Sequence, residues 1–232
     1  MKPAEGKYHL LIDADDTLWE NNIYFEDAFE QFVDFLDHSS MSAAEIRAVL
    51  DEIEIANIKI HGYGAANFAR NLAQCYERLA EREIREIDRR TVMSYAKRIL
   101  DCPMQLIEGV SETLTYLAPR HELTLFTKGH AEEQKLKIGR SGLGEFFQHT
   151  AIVKEKDTLA YATLVRERGL NTERTWMVGN SPKSDINPAL AAGLKAVYVP
   201  HPRTWGLEHE EIQLVDGRLL VLERFADLQL HF

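Results

Sequence analysis

The stretch YHLLIDADDTLWENN, Tyr8 to Asn22, carries an apolar run straight into three aspartates, Asp13, Asp15 and Asp16. Strands disfavour Asp and like charges repel, so acids this close behind a hydrophobic run call for a cation or for chemistry. Residues 8–14 read as a short buried strand that ends at the acids. Asp13 and Asp15 are two apart and would face the same side of an extended strand end. Side by side, they would hold a divalent cation, or divide the roles of nucleophile and acid as their surroundings separate their pKa values. The plainer reading is an acidic loop in which Asp16 caps a helix.

Downstream, the texture changes twice. From about Phe25 to Leu100 apolar residues recur at helical spacing, as in FEDAFEQFVDFL and AAEIRAVLDEIEIANIKI, with no strand between them. Ser42 and Glu45 make a capping box, and HGYG, His61 to Gly64, marks a break between helices. Beyond Pro103, short apolar runs alternate with helical stretches: Glu122 to Thr127, Thr150 to Val153, Thr175 to Gly179 and Lys195 to Val199. That alternation predicts an α/β fold, a parallel sheet with crossover helices to which the first strand also belongs. The boundaries follow: 1–20 with 104–232 as the core, and 21–103 as an all-helical insertion. It leaves the sheet at the carboxyl end of the first strand, where open α/β sheets bind ligands, and so is placed to act as a lid.

Composition sets limits. The 232 residues are 45% hydrophobic, enough to bury a substantial core. With 27 basic against 37 acidic residues the net charge is −10, which argues against wrapping nucleic acid but leaves room for one lysine to bind a small phosphorylated ligand. Cys75 and Cys102, the only cysteines, suggest reduced, structural thiols. The apolar run near the N-terminus is short for a signal peptide, and no stretch approaches the ~20 apolar residues of a membrane span, so a cytoplasmic location is expected.

LLIDADDTLW resembles the first motif of the haloacid dehalogenase-like superfamily, an apolar strand followed by D-x-D-x-T. The resemblance implies Asp13 as nucleophile, Asp15 as general acid and then base, and Thr17 as a support for the loop. Asp16 stands where many members have Gly; Asp tolerates unusual turn dihedrals. LTLFTKG resembles the second motif, with Thr127 as the phosphoryl-binding hydroxyl and Lys128 beside it as a substrate contact. AIVKEKDTLAY offers Lys154 and Lys156 for the third; Lys156, directly before a helix, is preferred. MVGNSPKSDINPALAAG resembles the fourth, matched at Gly179, Ser181 and Asp185. Asn180 departs from it, standing where most members have a metal-binding Asp, and a neutral amide implies weaker metal affinity.

The resemblance runs from Tyr8 to about Pro200. It implies a three-layer Rossmann-like core with an inserted helical cap, and a phosphatase that hydrolyses a small phosphorylated metabolite through an aspartyl phosphate. Mg2+ would be held by Asp13, Asp15, Asn180 and Asp185. A phosphomutase would keep every motif, Asn180 raises the alternative of a non-catalytic binding or regulatory member, and Asp15 argues against dehalogenation, which needs no acid for an alkoxide. In the insertion, His61, Tyr63 and Arg70 are candidate substrate contacts, with Asn67 nearby. His201 and His209 match no zinc spacing. A monomer or homodimer is expected.

Overall fold

In the computed structural model, residues 6–213 and 217–232 are described; the first five residues, which belong to the segment read above for a signal peptide, lie outside them. The chain runs from β1 (His9–Ile12) into four helices, α1 (Asn22–Leu36), α2 (Ala43–His61), α3 (Ala65–Leu79) and α4 (Glu86–Lys97). There follow α5 (Val110–Leu117), β2 (Glu122–Lys128), α6 (Ala131–Ser141), β3 (His149–Val153) and α7 (Thr158–Arg168). The last elements are β4 (Thr175–Gly179), α8 (Asn187–Ala191), β5 (Lys195–Tyr198) and β6 (Leu219–Val221). The chain divides after Glu20 and after Pro103: Asn21–Pro103 form one compact unit, and the flanking stretches form the other.

The six strands form one parallel sheet in the order β3-β2-β1-β4-β5-β6. All four residues of β1 are buried, as a central parallel strand covered on both faces requires. Successive side chains go to opposite faces. Leu10 and Ile12 join Leu123, Leu125, Val178 and Leu114 in one core, while Leu11 joins Phe126, Met177 and Tyr161 in another. Because β1 lies between β2 and β4, the strand order reverses beside it, and the crevice outside the carboxyl ends at this point is where such sheets place their ligands.

The first strand is shorter than the sequence suggests. It ends at Ile12, and the Ala14 carbonyl then accepts from the amides of Thr17, Leu18 and Trp19, turning the chain. Asp13 and Asp15 therefore do not share one extended strand end. Asp16 sits in the left-handed region at φ 58°, and α1 begins only at Asn22, so Asp16 is a turn residue and not a helix cap.

The helical unit has its own core of Phe32, Leu36, Ile46, Leu50, Phe68, Leu72, Tyr76 and Val92. The capping box opens α2, with the Ser42 hydroxyl accepting from the Glu45 amide and the Glu45 carboxylate accepting from the Ser42 amide at 2.8 Å. Gly62 (φ 72°) and Gly64 (φ 118°) then break the chain between α2 and α3. Both cysteines are free, and burial pushes the Cys75 thiol up to about 12. Among the described residues no helix is long and apolar enough to cross a membrane.

Candidate active site

The expected residues arrive at the carboxyl ends of consecutive strands: Asp13 after β1, Thr127 near the end of β2, Lys156 after β3 and Asn180 after β4. The Asp13 amide extends the sheet ladder by donating to the Val178 carbonyl at 2.9 Å, which fixes its Cα beside β4. Its carboxylate is buried; Oδ1 lies 2.5 Å from the Lys156 ammonium, and Oδ2 accepts from the Thr17 hydroxyl at 3.1 Å. Lys156 also pairs with Asp185. Burial alone would lower the Lys156 pKa, but Asp13 and Asp185 outweigh it and hold the ammonium above its ordinary value. Asp185 is pushed up, first by burial and then by the charge of Asp13, with Lys156 opposing. Lys154 is exposed, so of the two candidate lysines it is Lys156 that meets the acids.

Gly179 is required by this packing. A Cβ there would run into the Asp185 carboxylate, whose Oδ2 accepts from the Ser181 amide at 2.9 Å.

Asp15 stands in a different set of contacts. Its Oδ1 accepts from the Trp19 indole at 2.8 Å, and Lys137 Nζ lies 2.7 Å from Oδ1 and 2.6 Å from Oδ2. Gln134 Nε2 reaches Asp15 Oδ2 at 3.2 Å and the Thr127 hydroxyl at 2.6 Å, and so links the first and second motifs. Sequence reasoning missed both Gln134 and Lys137. Their three-residue spacing on one face of α6, directly after the second motif, was the only signal.

Asn180 is oriented by a short chain of hydrogen bonds. Its Nδ2 donates to Thr204 Oγ1 at 2.9 Å, and that hydroxyl donates to the His201 carbonyl at 3.0 Å. Asn180 Oδ1 consequently faces Thr17, 3.1 Å from its hydroxyl, which is also 3.1 Å from Asp13 Oδ2. A hydroxyl has one proton, so one of these two oxygens keeps spare acceptor capacity. A carboxylate and an amide oxygen converging on one point form an all-oxygen donor set, which fits a hard cation such as magnesium. The Asp185 oxygens are already taken by Lys156 and the Ser181 amide, which leaves Asp185 a supporting role toward such an ion.

Lys128 is engaged by protein. It lies 2.5 Å from Glu208 Oε1 and 2.8 Å from the Ser184 hydroxyl, and Glu208 Oε2 accepts from the Ser181 hydroxyl at 2.5 Å. Burial alone would raise the Glu208 pKa; Lys128 and the serines hold it below the ordinary range. Glu208 thus ties the end of β2 to the loop after β4. His201 forms a second cluster with Asp16 and Glu20, its Nε2 3.4 Å from Glu20 Oε2. Its Nδ1 accepts from the Arg203 amide at 3.3 Å. His209 is exposed and outside this cluster.

In the helical unit, Asn67 Nδ2 donates to the carbonyls of His61, Gly62 (3.1 Å) and Tyr63 (3.3 Å), closing the turn between α2 and α3. Arg70 Nη1 reaches Asn67 Oδ1 at 3.3 Å. His61 and Arg70 are exposed, and Tyr63 is half-buried.

No curated protein matches the chain by sequence. Among solved structures, a haloacid dehalogenase-like family hydrolase from Xanthomonas campestris is 28% identical, covers 98% of this chain and 95% of its own, and superposes with a TM-score of 0.81. The fold is shared with YfnB of Bacillus subtilis, a HAD-hydrolase solved bound to magnesium (16% identity, 96% and 97% coverage, TM-score 0.68). It is shared also with the L-2-haloacid dehalogenase of Xanthobacter autotrophicus (15% identity, 97% and 97% coverage, TM-score 0.65). The family model for haloacid dehalogenase-like hydrolases matches residues 10–199, from the second residue of β1 through β5, and includes every motif residue from Asp13 to Asp185; the chain belongs to this family.

Proposed function

We propose that the protein is a magnesium-dependent phosphatase that hydrolyses a small phosphorylated metabolite through an aspartyl phosphate. The observation that carries this reading is the pair of acids with separate partners: Asp13 against Lys156, and Asp15 linked through Gln134 to Thr127. A halide leaves without a proton, whereas an alkoxide needs one, and Asp15 is the acid that would supply it.

Asp13 attacks phosphorus and forms the new O–P bond as the bond to the leaving oxygen breaks; Asp15 gives that oxygen a proton, and the alcohol departs. Asp15 then takes a proton from water as the water oxygen attacks phosphorus, releasing inorganic phosphate and restoring Asp13. Lys156 and Thr127 offset and bind the charge of the phosphoryl oxygens. Magnesium, held by Asp13, the Asp15 carbonyl and Asn180, would neutralise part of that charge. Substrate selection would fall to His61, Tyr63, Arg70 and Lys128. One observation favours a second reading, a non-catalytic binding protein: the neutral Asn180 in the cation's donor set.

The test is release of inorganic phosphate from a phosphomonoester panel, with magnesium and with chelator, for wild type and Asp13→Asn. Turnover that needs magnesium and vanishes in the variant supports the phosphatase. A folded wild type inert on the whole panel sinks it in favour of the binding role.

A further inference from the structure

The Asp15 carboxylate is held by three side chains, two of which, Gln134 and Lys137, lie outside the motifs. Trp19 donates to Oδ1, Gln134 to Oδ2, and Lys137 spans both oxygens at 2.7 and 2.6 Å. Trp19 is fully buried and its main chain bridges to both Asp15 and Leu106, so the indole is a fixed donor. Gln134 is buried on α6 and bonded also to the Thr127 hydroxyl and, at 3.0 Å, to the Lys128 carbonyl, so α6 is pinned to the end of β2. Lys137, three residues further along α6, rides on that pinned helix. An exposed ion pair of this kind is worth little. This one is mostly shielded, with side chains 18% and 24% exposed, and the ammonium contacts both oxygens, which is the geometry that fixes a carboxylate's orientation.

We propose that Lys137 is a positioning residue: its ammonium fixes the rotamer from which Asp15 meets the leaving oxygen. The inference rests on the phosphatase reading above. Each oxygen accepts from two donors, Oδ1 from Trp19 and Lys137 and Oδ2 from Gln134 and Lys137, so the carboxylate is held in one orientation. Removing Lys137 leaves Asp13, Thr127 and Lys156 in place and loosens Asp15. The loss then scales with the leaving group's need for a proton: large for phenolate, small for the stable 4-nitrophenolate.

The experiment compares kcat and KM on phenyl phosphate and 4-nitrophenyl phosphate for wild type, Lys137→Met and Lys137→Arg, with melting curves as a check on folding. For Lys137→Met, kcat/KM, which reports the step that expels the leaving group, falls about 100-fold on phenyl phosphate and no more than ~10-fold on the nitro ester. Lys137→Arg, whose guanidinium also spans a carboxylate, keeps most of the wild-type ratio. Equal losses of kcat/KM on the two esters overturn the proposal. So does a rise in KM at constant kcat, which would make Lys137 a substrate-binding cation. A wild type inert on both esters sinks the phosphatase reading and this inference with it, whereas an active wild type with equal losses sinks only the positioning role. Should Lys137→Met not fold, Lys137→Gln is judged by the same ratio.

Discussion

Residue 180 shows how one side chain is fitted to its neighbours. The Thr204 hydroxyl accepts from Asn180 Nδ2 and gives its only proton to the His201 carbonyl. An aspartate at 180 would set a carboxylate oxygen against that hydroxyl oxygen and a second negative charge near Asp13, with no proton left to bridge them. Asn180→Asp is therefore expected to lower stability by roughly 1–3 kcal/mol without metal, and to gain more from magnesium than wild type does, because the added charge strengthens the oxygen donor set. Melting temperatures with chelator and with saturating magnesium check both halves. An unchanged melting temperature in chelator would mean that Thr204 does not discriminate between amide and acid. The departure at 180 was visible in the sequence, but its reason was not: Thr204 lies 24 residues away and acquires meaning only when β5 brings its loop to β4. Lys137, Gln134 and Glu208 were hidden in the same way. A lysine or glutamine on an amphipathic helix reads as solvent-facing until the helix has a partner, whereas Asp13, Asp15 and Thr17 declare themselves by local spacing alone.

Elements were legible in proportion to how local their signals are. The capping box and the HGYG break rest on residues within one turn, and the central strands are continuous apolar runs. By contrast, β6 is two half-buried residues and an exposed one, held by its register with β5, and the turn at Pro182–Ile186 winds as a π-helix around the Asp185 contacts, so neither leaves a periodic trace. A further feature absent from periodicity is Glu54, buried on α2 and facing Arg47 at 2.6 Å. Burial outweighs Arg47 and raises its carboxyl from 4.5 to about 7. The unfolded chain releases this proton at lower pH than the folded one. Its contribution to stability is thus complete below 4.5 and is lost as pH rises through about 7. In urea titrations at pH 5 and pH 8, wild type should lose roughly 1–3 kcal/mol across that interval relative to Glu54→Gln, which has no proton to lose. Equal slopes for the two proteins would show that Arg47 keeps Glu54 ionised throughout.

At the scale of the whole molecule, the apolar residues sort into separate cores. Phe32, Leu50, Leu72 and their partners lie within Asn21–Pro103, while the clusters around β1 draw only on the flanking stretches. Near Pro103 the sequence pattern changes from sustained helical spacing to short apolar runs alternating with helical stretches, because a bundle helix buries one stripe whereas a covered parallel strand buries both faces. Separate cores imply separate local stabilities, since cooperative opening follows contiguous packed units. Phe32→Ala, in the middle of the helical core, should cost that core about 3–5 kcal/mol. Under native conditions, hydrogen exchange in α1 to α4 should then accelerate while the amides of β1, β2 and β4 stay as protected as in wild type. The complementary change, Leu11→Ala, should reverse the pattern, since Leu11 belongs to the cluster of Phe126, Met177 and other residues of the sheet unit. Acceleration of both sets by either substitution would mean that the two cores open as one, and that the insertion is a cooperative part of the catalytic fold.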